Sequence, residues 1–319
     1  MKILVCGTNY GSTYIRALTM AHDGLQLGGV LSRGSTRSRR YAQSYGVPHY
    51  SRVEQLAGEG FAIACVAVPG DAGVRLALDL LHSGLNIIIE HPLSEAQYQR
   101  LHSAATAQQR QLFINGHFAD LDAPIAWLNA LASNAARQPL LHLSIDVNLR
   151  TIYSALDLVG RIWNRLDHLQ VLPLRPDDQE GPEPFAMLAL RAGSFVAHLL
   201  VQNYASEHDD GSATLLNHRL SACFANGNLL LAETNGPVLW YPTITSLPTS
   251  QWSSYVPVDL RNQNVTTLQT QRDRANLALI HTLAAVQRGA ALPPFQQPQY
   301  LQALTRLWDQ VLSALQPER

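Results

Sequence analysis

Apolar positions over the first hundred or so residues fall into two alternating rhythms. Short unbroken runs, "KILVCG" (2–7), "LQLGGVLSR" (25–33), "FAIACVAVP" (61–69), "LNIIIE" (85–90) and "QLFING" (111–116), read as strands covered on both faces. Between them "STYIRALTMA" (12–21), "SRRYAQSYG" (38–46), "GVRLALDLLHSG" (73–84) and "LSEAQYQRLHSAATAQQR" (93–110) carry helical spacing, with Ser94 as an N-cap. Strand and helix in regular alternation predict a doubly wound parallel sheet over residues 1–119.

From about residue 120 the pattern changes. "DAPIAWLNALAS" (122–133) and "TIYSALDLVGRIWNRL" (151–166) keep helical spacing. The runs "LLHLSIDVNL", "HLQVLPL", "FAMLALRA", "SFVAHLLVQNY", "TLLNHRLSACFA" and "NLLLAETN" have strand character, and turn signals such as Arg191-Ala192-Gly193-Ser194 and Ala225-Asn226-Gly227-Asn228 separate several of them, as in antiparallel hairpins. Residues 242–270, rich in Pro, Ser, Thr and Gln, read as a long loop. "QRDRANLALIHTLAAVQRG" (271–289) and "PQYLQALTRLWDQVLSAL" (298–315) read as helices. The expectation is an α+β domain over 120–319 with a mainly antiparallel sheet, serving substrate binding and oligomerisation. Its last helix is free to pack back on the first domain.

Composition narrows the function without naming it. The 319 residues are 46% hydrophobic and 15% charged, with a formal net charge of −1. That balance gives no footprint for nucleic acid or an anionic membrane, so neither is expected as a partner. The opening Met1-Lys2-Ile3-Leu4-Val5 reads as a strand rather than an export signal. Three distant cysteines, Cys6, Cys65 and Cys223, fit a reducing cytoplasm and no disulfide framework. Twelve scattered histidines lack metal-site spacing, so no metal is expected.

The candidate chemistry starts at "GTNYGST" (7–13), where the first strand turns into a helix. A Rossmann dinucleotide turn places Gly at its first, third and sixth positions, for the turn, for approach to pyrophosphate and for helix packing. Here these are Gly7, Asn9 and Ser12, with Gly11 additional, and the helix N-terminus that follows favours an anion. At the end of the second strand an NAD site usually has an acid for the ribose 2′-hydroxyl. This chain has Ser32 and then "RGSTRSRR" (33–40). A carboxylate would repel a 2′-phosphate, whereas guanidinium and hydroxyl groups bind it, so Ser32, Arg33, Ser35 and Arg37 predict NADP(H).

The glycine turn, Ala67-Val68-Pro69, "ALDLLHSGLNIIIEHP" and the β-rich second half together resemble the Gfo/Idh/MocA oxidoreductases. That resemblance implies a cofactor site completed by Thr8, Tyr10, Val68, Pro69, Glu90 and His91. The family's Glu-Lys-Pro has His91 in place of lysine here, and its Asp-x-x-x-His pair falls on Asp157 and Arg161. "EHPL" (90–93), "YSALDL" (153–158), "GPVLW" (236–240) and "RLWDQVL" (306–312), with "GSTRSR" (34–39), resemble in order the thiazolinyl imine reductases of siderophore assembly. This implies NADPH-dependent reduction of a thiazoline C=N to a thiazolidine. The substrate would be a thioester on a carrier domain of a nonribosomal peptide synthetase, in a pyochelin- or yersiniabactin-type pathway. A homodimer is the family expectation.

Imine reduction needs a hydride on carbon and a proton on nitrogen. Histidine, with an ordinary pKa of about 6.5, is nearer working pH than lysine at about 10.4. His91 is therefore the first candidate acid and His117 the second. Tyr153 and Asp157 are candidate substrate contacts, with Asp157 also a catalytic candidate; Asp157 could equally pair with Arg161 at i+4. Two other readings stay open, a sugar or polyol dehydrogenase of the wider family and a non-catalytic NADP-binding sensor.

Overall fold

The computed structural model describes residues 1–22, 24–174, 184–202, 216–243 and 265–315. They divide into two compact units, residues 1–117 with 269–302, and residues 118–268 with 303–319. The sequence reading draws a single cut after residue 119, whereas the chain returns at 269 to the first unit. Of the last helix, residues 298–302 group with the first unit and the remainder with the second.

The first unit is built on six parallel strands, β1 (Lys2–Cys6), β2 (Gln26–Leu31), β3 (His49–Tyr50), β4 (Phe61–Val66), β5 (Asn86–Glu90) and β6 (Leu112–Asn115), in the order β3-β2-β1-β4-β5-β6. This is the Rossmann order, and the reversal between β1 and β4 is where such sheets bind ligands. Consecutive residues Ile3, Leu4, Val5 and Cys6 are all fully buried, so both faces of the sheet are covered. Each such aliphatic side chain contributes about 1.5–3 kcal/mol by burial. Helices α1 (Gly11–Thr19), α2 (Thr36–Ser44), α3 (Gly70–His82) and α4 (Glu95–Ala107) follow their strands. Ser94 caps α4 as expected, accepting from the Gln97 amide at 3.2 Å, while Gln97 Oε1 accepts from Ser94 N–H at 3.1 Å.

The returning segment completes this unit. Ile280, Leu283 and Ala284 join the cluster of Ile3, Val5, Tyr14, Ile15, Ile63 and Phe113. The exposed edge of β6 is closed by a side chain, because the Gln296 amide accepts from Ile114 N–H at 3.0 Å and donates to Ile114 O at 2.9 Å. A glutamine thus occupies the ladder position that another strand would take.

The second unit carries helices α5 (Asp122–Ala135) and α6 (Ile152–Trp163). Its seven strands are β7 (His142–Asn148), β8 (Gln170–Pro173), β9 (Phe185–Ala192), β10 (Phe195–Gln202), β11 (His218–Phe224), β12 (Gly227–Leu231) and β13 (Val238–Pro242). They form one sheet in the order β13-β12-β11-β7-β10-β9-β8, antiparallel except for the β7–β10 pair. Hairpins form at both expected turn signals, 191–194 and 225–228, with Gly193-Ser194 and Ala225-Asn226 as the loops and the other signal residues inside the strands. β13 has no counterpart in the sequence reading. Pro237 precedes it and Pro242 is its last residue, and an edge strand tolerates what a central one would not. The loop expected over 242–270 does not hold at either end. Pro242 belongs to β13, α7 (Val265–Gln287) begins six residues earlier than its pattern indicates, and 244–264 lie outside the described residues. The chain closes with α8 (Pro298–Leu315).

Candidate functional site

A cavity of about 550 Å³ opens beside the carboxyl ends of β1, β2 and β4 in the first unit. Gly7 starts it. Its φ of +87° suits glycine, and its amide donates to Leu31 O at 2.9 Å. A Cβ there would stand 2.8 Å from Ala67 O, so the turn is pressed against the end of β4. Thr8, Asn9, Ser32, Arg33, Ser35, Val68 and Pro69 line the cavity, as do Leu31, Ser51, Arg52, Val53, Ala67, Ala72 and Leu76. No carboxylate is among them. An anion-friendly rim beside apolar walls fits the adenosine diphosphate half of a dinucleotide.

Four predicted cofactor residues lie apart from this cavity: Tyr10, Arg37, Glu90 and His91. The Arg37 guanidinium sits over the Tyr41 ring, 5.8 Å from its centroid, on the exposed side of α2. Ser35 lines the cavity but is also the N-cap of α2, accepting from Ser38 N–H at 3.2 Å. The cavity-lining stretch Ser51-Arg52-Val53 was missed because β3 is only two residues long and shows no readable period.

Glu90, His91, Tyr10 and His117 gather instead around Asn115, also in the first unit. Register pairs Glu90 with Asn115 across β5 and β6. The two hydrogens of Asn115 Nδ2 are shared among three acceptors, Tyr14 Oη at 2.7 Å, Glu90 Oε1 at 2.9 Å and Asn276 Oδ1 at 2.7 Å. Tyr14 also donates to Glu90 Oε1. His91 Nδ1 donates to the Asn115 carbonyl at 2.5 Å, and the His91–Pro92 peptide bond is cis. A carbonyl only accepts, so Nδ1 carries the proton in this contact. His117 is held by its own amide on Asn115 Oδ1 at 3.2 Å and by Tyr10 Oη, 3.1 Å from Nδ1. The His91 and His117 ring centroids are 6.4 Å apart.

Burial pushes the Glu90 carboxyl up to about 7, against the opposing hydrogen bonds from Tyr14 and Asn115. Burial, then the Glu90 charge, raises both the Tyr10 and Tyr14 hydroxyls above the ordinary phenol range. Asn115 and Asn276 were missed by the sequence reading. Asn115 carried a signal, as a polar residue ending the "QLFING" run beside Glu90.

In the second unit, Tyr153 and Asp157 lie one helical turn apart on α6, both buried. Arg161 pairs with Asp157 at 3.2 Å and with Asp120 at 2.6 Å. The ion pair with Arg161 is therefore formed. Near the start of α6, Ser154 Oγ is 2.7 Å from His218 Nε2, whose Nδ1 is 2.8 Å from Thr234 Oγ1.

A Rossmann sheet with a glycine-started cavity at its reversal is the architecture of a nucleotide-cofactor-binding protein. Residues 1–116 match the family model described as "Oxidoreductase family, NAD-binding Rossmann fold", and residues 137–241 match "Thiazolinyl imine reductase Irp3-like, C-terminal". The chain belongs to the Gfo/Idh/MocA oxidoreductases and carries an Irp3-like C-terminal domain.

No curated protein matches the chain. Among solved structures, an oxidoreductase from Agrobacterium radiobacter, in complex with NAD+, L-tartaric acid and magnesium, aligns with a TM-score of 0.73 at 11% identity, covering 97% of this chain and 94% of that one. A Gfo/Idh/MocA family oxidoreductase from Vibrio cholerae aligns at 0.71 and 15%, covering 98% and 97%. The WlbA dehydrogenase from Bordetella pertussis, in complex with NADH and UDP-GlcNAcA, aligns at 0.70 and 11%, covering 99% and 94%. At these identities the likeness is one of fold. Among the described residues no helix is long and apolar enough to cross a membrane.

Proposed function

We propose that this protein uses NADPH to reduce the C=N bond of a thiazoline to a thiazolidine, on a substrate tethered to a peptide-synthetase carrier domain. The Irp3-like match over residues 137–241 carries the reading. Two features of the first unit support it: histidine where the wider family has its lysine, and a cavity rim with arginines and no carboxylate.

When bound, the reduced nicotinamide supplies a hydride to the imine carbon. The chain's residues supply the rest. Gly7, Thr8 and Asn9 hold the pyrophosphate, and Ser32 and Arg33 meet the 2′-phosphate. His91, fixed by its Nδ1–H on Asn115 O, holds the second proton of its imidazolium on Nε2 and releases it to the imine nitrogen. His117 is the second candidate donor, resupplied through Tyr10 Oη. Tyr153 and Asp157 are assigned to the substrate side.

The test is hydride transfer to a free thiazoline-4-carboxylate ester, followed by loss of the reduced-nicotinamide absorbance and by product mass. NADPH turnover on the thiazoline and none with NAD(P)+ and sugars or polyols is expected. Oxidation of a sugar or polyol with no thiazoline reduction would place the chain among the sugar dehydrogenases. Tight cofactor binding without turnover on any substrate would make it a sensor.

A further inference from the structure

We propose that Arg52 is a second specificity-determining cation for the 2′-phosphate, gripping it together with Arg33. The inference rests on the NADPH reading above and extends it to a loop outside the usual β2 position.

The sheet register places the two arginines. Leu31 of β2 pairs with Tyr50 of β3, and Ser32 N–H donates to Tyr50 O at 3.0 Å. Arg33 and Arg52 each stand two residues beyond that matched pair, leave the same edge of the sheet, and line the same cavity. The Arg52 backbone starts from a fixed platform: Gln55 Oε1 accepts from Ser51 N–H at 2.8 Å and from Arg52 N–H at 3.0 Å.

Charge balance supports a shared anion. Arg16, Arg161 and Arg165 are paired with Asp273, Asp120 and Asp167, while neither Arg33 nor Arg52 has a salt-bridge partner among the described residues. The other donors near β2 are partly committed. Ser32 Oγ accepts from Gly34 N–H at 3.2 Å and lies 2.9 Å from His49 Nε2. Ser35 caps α2, and Arg37 lies on Tyr41. A phosphate dianion at this rim takes paired donors most strongly from a planar guanidinium, and two of them come from separate loops.

The test titrates wild type, Arg52→Ala, Arg52→Lys and Arg33→Ala with NADPH and with NADH, followed by nicotinamide fluorescence. Arg52→Ala is expected to weaken NADPH about ten- to a hundredfold, with NADH changed by less than about threefold. Arg52→Lys should recover part of the loss, since charge is kept and the fork is lost. Unchanged NADPH affinity in Arg52→Ala, with Arg33→Ala impaired, overturns the role of Arg52 alone. Equal wild-type affinity for NADPH and NADH overturns the NADPH reading, and this inference with it. Arg52 is exposed, so the substitution leaves the fold intact, which circular dichroism verifies.

Discussion

Asn115 turns its side-chain Nδ2 to Glu90, Tyr14 and Asn276, and its backbone carbonyl accepts from His91. One residue therefore touches both groups, its backbone fixing the candidate acid and its side chain meeting the carboxyl beside it. Under the proposed reaction, His91→Asn should bind NADPH as wild type does and lose about 10²–10⁴-fold in the single-turnover rate. Its pH–rate profile should lose the limb that histidine protonation produces. If His117→Asn shows that pattern while His91→Asn loses less than about tenfold, the donor is His117.

Glu90 makes a separate prediction about stability. Its carboxyl is pushed from 4.5 to about 7 in the folded protein. Below the lower value both states are protonated and nothing is at stake. Between the two the unfolded chain ionises while the folded one keeps its proton, so stability falls as pH rises and then levels off above about 7. The loss is of order 3 kcal/mol. Glu90→Gln cannot ionise, so its denaturant stability relative to wild type should rise across this window. A difference that stays flat with pH would show that Glu90 is ionised in the fold.

At the scale of elements, the turn between β1 and α1 is the most constrained part of the site. Gly7→Val puts a branched side chain at φ +87° and against Ala67 O, 2.8 Å from where its Cβ would stand. The variant should fail to titrate NADPH while its far-ultraviolet spectrum stays close to wild type. Normal titration would remove the dinucleotide assignment. This turn was legible because its residues sit at fixed offsets from a strand. So were β1, β2, β4 and β5, whose apolar runs need no tertiary information. β3 was not, having two residues, and β13 was hidden by its prolines. "VTTLQT" (265–270) shows little periodicity and reads as the end of a loop, yet it is the first turn and a half of α7. Asn276 was beyond reach for a different reason. Asn276 meets Asn115 across 161 positions of sequence, a pairing that no local pattern announces.

The whole molecule is divided in space differently from its order in sequence. Residues 1–117 leave the first unit unfinished until 269–302 return with Ile280, Leu283 and Ala284 for its core, Asn276 for its polar cluster and Gln296 for its open edge. A fragment of residues 1–119 is thus expected to lack a cooperative thermal transition, whereas the full chain has one. Cooperative melting of the fragment would show that the returning segment is dispensable.

That return also sets a clock on the ribosome. The nascent amino-terminal unit must wait while roughly 150 residues are synthesised before its missing core emerges, about 8–30 s at ordinary elongation rates. Throughout that interval the β6 edge at Ile114 stands without the Gln296 amide that later covers it. Trigger-factor-like holdases that bind extended apolar segments would find their target there, and arrested chains ending before residue 269 should cross-link to them more strongly than chains whose residue 302 has cleared the exit tunnel.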